Sequence, residues 1–314
     1  IADAGINLAD FNGITDQVTV DGSLYELPFR SDYWLIYYNK DVFDAAGIAY
    51  PSNDMTIEDY DALARQLTDT TYGSQVYGCH YHTWRSAVEL FGILDGKHSI
   101  LDGNYDWMIP YYDMILSEED DGVCQTYTDL STEGLHYSAA FSNGNVAMMN
   151  MGSWFISTLI SNLDSGEYDS SLCGNWGIAS YPHPDGAEAG STIATITGLA
   201  VTSASANKDA AFDFVNWVSG TEGAKVMAST GNFPAIMTDD VINTIAGMAG
   251  FPTDESSKEA LNITNAYLEV PYAENVSEIN SILDTYHTSI MNREVTVEEG
   301  VASMNEQVGK LLNQ

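Results

Sequence analysis

The hydrophobic positions of "WLIYYN" (Trp34 to Asn39) run unbroken between polar flanks, which predicts a short strand buried on both faces. A different spacing follows. Ile57, Tyr60, Leu63, Ala64 and Leu67 recur at intervals of three and four, which predicts a helix with one apolar face, capped by Thr56. The two patterns then alternate. "GNVAMMNMGSW" (144–154) predicts a second apolar strand ending at a Gly-Ser turn that exposes Trp154. "WGIASYPHPDG" (176–186) predicts a strand running into a proline-rich break, and "GLAVTS" (198–203) the beginning of another strand. Asn207 opens a helix that reaches Gly220, and Thr221 opens the next, stopped by Gly231 and Pro234. The closing helix starts at a capping box, Thr296 to Glu299, with a core stripe of Val297, Val301, Met304, Val308 and Leu311.

Strands alternating with helices argue for an α/β architecture with mixed sheets. There is no internal repeat and no low-complexity linker. The breaks at "ELPFRSD" and "ASYPHPDG" read as extended crossovers between packed units, so two lobes traversed more than once are expected. Three crossovers are predicted: near Pro28 to Asp32, near Ser180 to Pro184, and near Gly231 to Pro234. Each carries Pro or Gly flanked by polar residues, which suits a hinge.

Charge changes the picture most. Only 10 Lys and Arg stand against 45 Asp and Glu, a formal net charge of -35 in 314 residues. A field of that sign repels phosphate backbones and excludes nucleic acid as a partner; it also disfavours adhesion to anionic lipid. The expected ligand is neutral or cationic. Hydrophobic residues make up 45% and aromatic residues 11%, a composition that folds rather than staying disordered. No run of eighteen apolar residues occurs. The chain opens on "IADAGINLADF" without an initiator Met, and the expectation is that an earlier segment was removed. Cys79, Cys124 and Cys173 show no metal spacing; three buried thiols are expected, with one disulfide plus a free thiol left open.

Candidate chemistry is sparse. His80 and His82 in "CHYHTW" lack a third ligand nearby and read as polar cleft or surface histidines. "NMGSWF" lacks the nucleophile elbow, which leaves Ser153 as a turn residue. Tyr37 and Tyr38 point to opposite faces of a strand and cannot chelate together. No phosphate-binding glycine pattern is present, so neither a metal nor a cofactor is implied. What remains is an aromatic set: Tyr33, Tyr81, Trp84, Trp107 and Trp154. Sugar rings pack their C–H faces on aromatic planes, while their hydroxyls need Asp or Asn partners.

Four ordered segments resemble the extracellular solute-binding proteins of ABC sugar importers. They are "LPFRSDYWLIYYNKDVFDAAGI", "AFSNGNVAMMNMGSW", the stretch from "WGIASYPHPDG" to "ASTGNFPA", and "REVTVEEGVASMNEQVGKLL". The layout is similar to the maltose-binding type of that family. The resemblance implies a two-lobed periplasmic-binding-protein-like fold with hinge crossovers, lobe 1 at 1–30 and 183–230, lobe 2 at 31–182 and 231–314. It also implies that lobe 1 is incomplete at its N-terminus in this chain.

The same resemblance places site residues. Asp32 falls where the family has a cleft carboxylate, Tyr81, Trp84 and Trp154 where it has aromatic rings, and Gly198 at a close backbone approach. Arg30 and Tyr33 depart from the pattern, and Asn275 and Asn280 stand where another stacking ring is usual. The implied function is an extracytoplasmic carbohydrate-binding component, a monomer, on the cell surface as a lipoprotein or in the periplasm. Its partners would be a small oligosaccharide and the membrane permease of an ABC transporter. A secreted carbohydrate-active hydrolase and a binding protein for a polyamine or other cation are the alternatives the sequence leaves open.

Overall fold

The computed structural model describes residues 1, 4–11, 13–69 and 75–313. Among them lie six strands: β1 (Leu27–Asn39), β2 (Tyr77–His80), β3 (Val146–Gly152), β4 (Trp176–Ser180), β5 (Thr192–Leu199) and β6 (Ala266–Leu268). They form one mixed sheet in the order β2-β3-β1-β5-β6, with β4 also paired to β1. The predicted α/β class with mixed sheets is what the chain forms.

β1 organises the molecule because its two halves have different neighbours. The first half pairs antiparallel with β5, from Leu27 opposite Leu199 to Tyr33 opposite Ala194, with a register shift between Pro28 and Arg30. Proline brings no amide donor to a ladder, so a strand tolerates it best where pairing is irregular. The second half lies between β3, Trp34 to Tyr38 opposite Gly152 to Met148, and β4, Leu35 to Asn39 opposite Ser180 to Trp176. A strand flanked on both edges and covered on both faces needs apolar residues at every position, which is the meaning of "WLIYYN". Trp34, Leu35, Ile36, Tyr37 and Tyr38 are all buried.

β5 lies upstream of the strand predicted at 198–203, ending at Leu199 where that strand was expected to begin. The β-branched run "TIATIT" makes the strand, and it is fixed by β1: the Thr192 hydroxyl donates to the Trp34 carbonyl at 2.6 Å. Two of the three predicted crossovers are neighbours. Pro28 to Asp32 lies inside β1, and the segment after Gly231 runs beside it, with Ser31 N donating to Phe233 O and Ala235 N to Phe29 O. Ser180 to Pro184 instead closes β4 and lies against the start of the Ile57–Leu67 helix, through His183 N to Met55 O and Ile57 N to His183 O.

The helices predicted at 57 and 297 form with complete capping boxes, Thr56 with Asp59 and Thr296 with Glu299. Their apolar stripes are buried, except that Leu63 and Leu311 are only partly covered. The closing helix Val297–Leu312 packs on the helix Val276–Met291, closely enough that a Cβ at Gly300 would meet Ile290 at 2.3 Å. The helix Ser86–Ile93 gave no sequence signal, because all eight of its residues are buried and no polar stripe is left to mark its period.

Candidate functional site

Beyond the end of β3 the chain turns directly into the helix Trp154–Ser165. Ser153, expected as a turn residue, sits at this junction fully buried. Its amide donates to Tyr33 O at 2.8 Å, its hydroxyl donates to Asp32 Oδ1 at 2.9 Å and accepts from Tyr33 N at 3.2 Å. Asp32 is thereby engaged on both oxygens, since Arg30 pairs with it through Nε and Nη2. Burial raises the Asp32 pKa, while Arg30 and Ser153 pull it back. The carboxylate is 5% exposed and braces β1 against the start of the helix rather than facing open solvent.

That brace sets Trp154. Its indole folds back over Gly152, where a Cβ would sit 2.0 Å from the ring, and its Nε1 donates to the Tyr137 hydroxyl at 3.2 Å. Trp34 stands edge-on to Trp154 at 5.5 Å and to Trp84 at 6.4 Å, and Trp84 and Trp154 lie 6.3 Å apart. Three indoles from three segments thus converge on a hollow of about 450 Å³. Trp84 is the most open of them, 40% exposed.

Polar groups line the same hollow. Glu269 accepts from Trp34 Nε1 at 3.4 Å, from Thr195 Oγ1 at 2.8 Å and from the Ser86 hydroxyl. Arg85 is buried, ion-paired with Glu89 and Asp284, and donates to Asn280 Oδ1. His287 also lines it, and burial lowers its pKa to about 3. The arrangement offers aromatic faces beside fixed carboxylate and amide oxygens. A second hollow of about 340 Å³, lined by Ile14, Tyr33, Ile242 and Tyr267 among others, contains neither a tryptophan nor a charged side chain.

The structure brings together Trp84, Trp154 and Asn280 of the residues expected from the sequence. The others lie elsewhere. Tyr81 is 5% exposed with its ring against Tyr60 and Phe91, so neither face is open for stacking. Tyr33 is buried edge-on to Phe233 and lines the second hollow. Gly198 faces the Glu26 carboxylate, and Asn275 caps the helix Val276–Met291 in a left-handed conformation. Trp107 stacks on His98, and its ring lies where a Cβ of Gly92 would be. His80, expected in a cleft or at the surface, is 1% exposed, hydrogen-bonded to Gln125, with burial lowering its pKa to about 4. The three cysteines are buried free thiols.

Sequence reasoning missed Trp34, Arg85 and Glu269. Trp34 was masked by its place in an apolar strand. Arg85 had a signal: with 10 basic residues in the chain, an arginine directly after Trp84 was an uncommon choice. Asn280 and Asp284, four apart on one helix, share the face that Arg85 meets.

In a solved structure, a sugar transporter from Rhizobium etli in an open conformation is 47% identical, with a TM-score of 0.91 over 98% of this chain and 78% of that one. An ABC substrate-binding protein from Listeria monocytogenes in complex with cycloalternan shares the fold at 22% identity, with a TM-score of 0.80 over 99% of this chain and 78% of that one. A mannitol-binding protein from Pseudomonas aeruginosa is 24% identical over 223 residues, 68% of this chain. The chain spans about half the length of that curated relative, 49%. The family model described as bacterial extracellular solute-binding protein matches residues 2–225. With that match over well more than half its length, the chain belongs to the bacterial extracellular solute-binding protein family.

Proposed function

We propose that this protein is the extracytoplasmic binding component of an ABC importer, which takes a small neutral oligosaccharide into the tryptophan-lined hollow and delivers it to a membrane permease without altering it. The observation that carries this reading is the convergence of Trp34, Trp84 and Trp154 on Glu269 and Asn280. Indole faces take the C–H face of a pyranose, and carboxylate and amide oxygens take its hydroxyls. The relatives' names, a sugar transporter, a mannitol-binding protein and a protein holding cycloalternan, support a polyhydroxylated ligand. No helix among the described residues is long and apolar enough to cross a membrane.

In this reading Trp84 and Trp154 are platforms and Asp32 with Arg30 positions Trp154 through Ser153. Tyr33, Gly198 and Asn275 shape the surrounding walls. The protein acts as a monomer, and the β1–β5 ribbon is where two lobes meet and hinge. The test is a thermal-shift screen of neutral oligosaccharides followed by calorimetry of the best ligand at low and high salt. A neutral sugar binds with little dependence on ionic strength, because few counterions move. Affinity that collapses with salt, or glycan cleaved during a day's incubation, refutes the proposal.

A further inference from the structure

Away from the cleft, Cys79 on β2, Glu118 on the helix Ile109–Asp120 and Cys124 in the turn after it meet in the core. Their two sulfurs and one carboxylate oxygen lie within 4.8 Å of one another. Cys79 and Glu118 are fully buried, and Cys124 is 3% exposed. The backbone fixes the trio: Cys79 N donates to Val123 O at 3.4 Å and Val123 N to Glu118 O at 2.8 Å.

Glu118 is the anomaly. Its Oε1 receives the weak Cys79 thiol donor, at 3.7 Å, its Oε2 makes no hydrogen bond of good geometry, and the Tyr81 hydroxyl and the Asp61 carboxyl lie close to it. Asp61 adds repulsion to the same carboxyl, and Arg65 supplies the opposing charge that reaches both Glu118 and Cys124. The Tyr60 hydroxyl beside the trio is also buried without a partner. A carboxyl placed there for packing alone costs desolvation that such weak contacts offset only in part. Burial pushes the Cys79 thiol up and the Glu118 carboxyl to about 8.

We propose that Cys79, Cys124 and Glu118 form a buried site for one thiophilic divalent cation of the zinc type. Two thiolates and a carboxylate are a soft donor set suited to that ion, and a tetrahedral centre needs donor-to-donor edges of roughly 3.5–3.8 Å. The observed spacing reaches this with small side-chain adjustments. Three anionic donors and a dication leave the site one net negative charge, near Arg65, which is itself ion-paired with Asp61 and Asp121. A disulfide between Cys79 and Cys124 would remove the thiol that donates to Glu118, whereas a cation satisfies all three groups. Since β2 leads directly into the segment carrying Trp84, the ion would anchor the root of the cleft wall to the Ile109–Asp120 helix.

The test uses the full chain, reduced, stripped with a chelator and titrated with cobalt(II) alone. One equivalent should give a near-ultraviolet thiolate-to-cobalt charge-transfer band, which zinc(II) then abolishes. Zinc should also raise the melting temperature and protect Cys79 and Cys124 from alkylation while Cys173 gains no protection. Cys124→Ala should lose the band, and Glu118→Gln should weaken cobalt binding, each with native circular dichroism. No band from reduced, folded wild-type protein overturns the proposal. So does a band that survives in Cys124→Ala, or a Cys79–Cys124 disulfide in the isolated protein whose reduced form binds no cobalt.

Discussion

Truncating Trp84 to alanine tests the proposed platform most directly. The indole is 40% exposed and faces the hollow, while its remainder packs edge-on against His82 at 4.6 Å and Tyr137 at 5.7 Å. Of the roughly 250 Å² an indole presents, about 100 Å² is therefore open to a ligand. A sugar ring covering half to all of it removes about 50–100 Å² of apolar surface from water. At about 25 cal/mol/Å² this contributes about 1–2.5 kcal/mol. Trp84→Ala should accordingly weaken binding about 5- to 70-fold, and Trp84→Phe, which keeps a smaller ring, should lose less. Isothermal titration of wild type and both variants measures this, with circular dichroism and thermal melts showing that the variants are folded. A folded Trp84→Ala protein with wild-type Kd would refute the stacking argument, because no other ring in the hollow has as much free face.

Three further outcomes are expected. Gly152→Ala puts a methyl into the volume of the Trp154 ring, so it should displace that indole, shift tryptophan fluorescence and reduce ligand affinity; unchanged emission and affinity would show that the ring does not depend on the glycine. In metal-free protein the buried Glu118 holds its proton to about pH 8 in the folded state, whereas an unfolded glutamate releases it near 4.5. The folded state then binds more protons across that window, so its stability should fall as pH rises through it; Glu118→Gln should flatten urea melts there, and a persistent slope would assign the effect elsewhere. If lobes hinge at the β1–β5 ribbon, ligand contacts favour the closed form, and small-angle scattering should give a smaller radius of gyration with saturating sugar; an equal radius with binding confirmed would exclude closure.

Legibility followed distance along the chain. The Ile57–Leu67 and Val297–Leu312 helices were readable because spacing and capping boxes act within four residues, between Thr56 and Asp59 and between Thr296 and Glu299. The buried strand at Trp34 to Asn39 was readable because burial on both faces demands unbroken apolarity. Trp84 and Trp154 could be nominated as rings beside a strand end or turn. Asp32 and Tyr81 could not be placed, since a carboxylate or ring carries no mark of whether it ends in a brace, a core or a cleft.

Those fates were decided by packing between remote segments. Glu269 reaches Ser86 across 183 residues and Trp34 across 235, and Arg85 reaches Asn280 across 195. Cys79 and Glu118, 39 residues apart, meet only because β2 lies against the turn that ends the Ile109–Asp120 helix. The α/β elements, the sign of the net charge and the rings available for a ligand were readable along the chain, because each depends on local spacing or composition. Which rings share a hollow and which polar groups face them was set by long-range packing, because those positions follow from the pairing of β1 with β3, β4 and β5 across more than a hundred residues of chain.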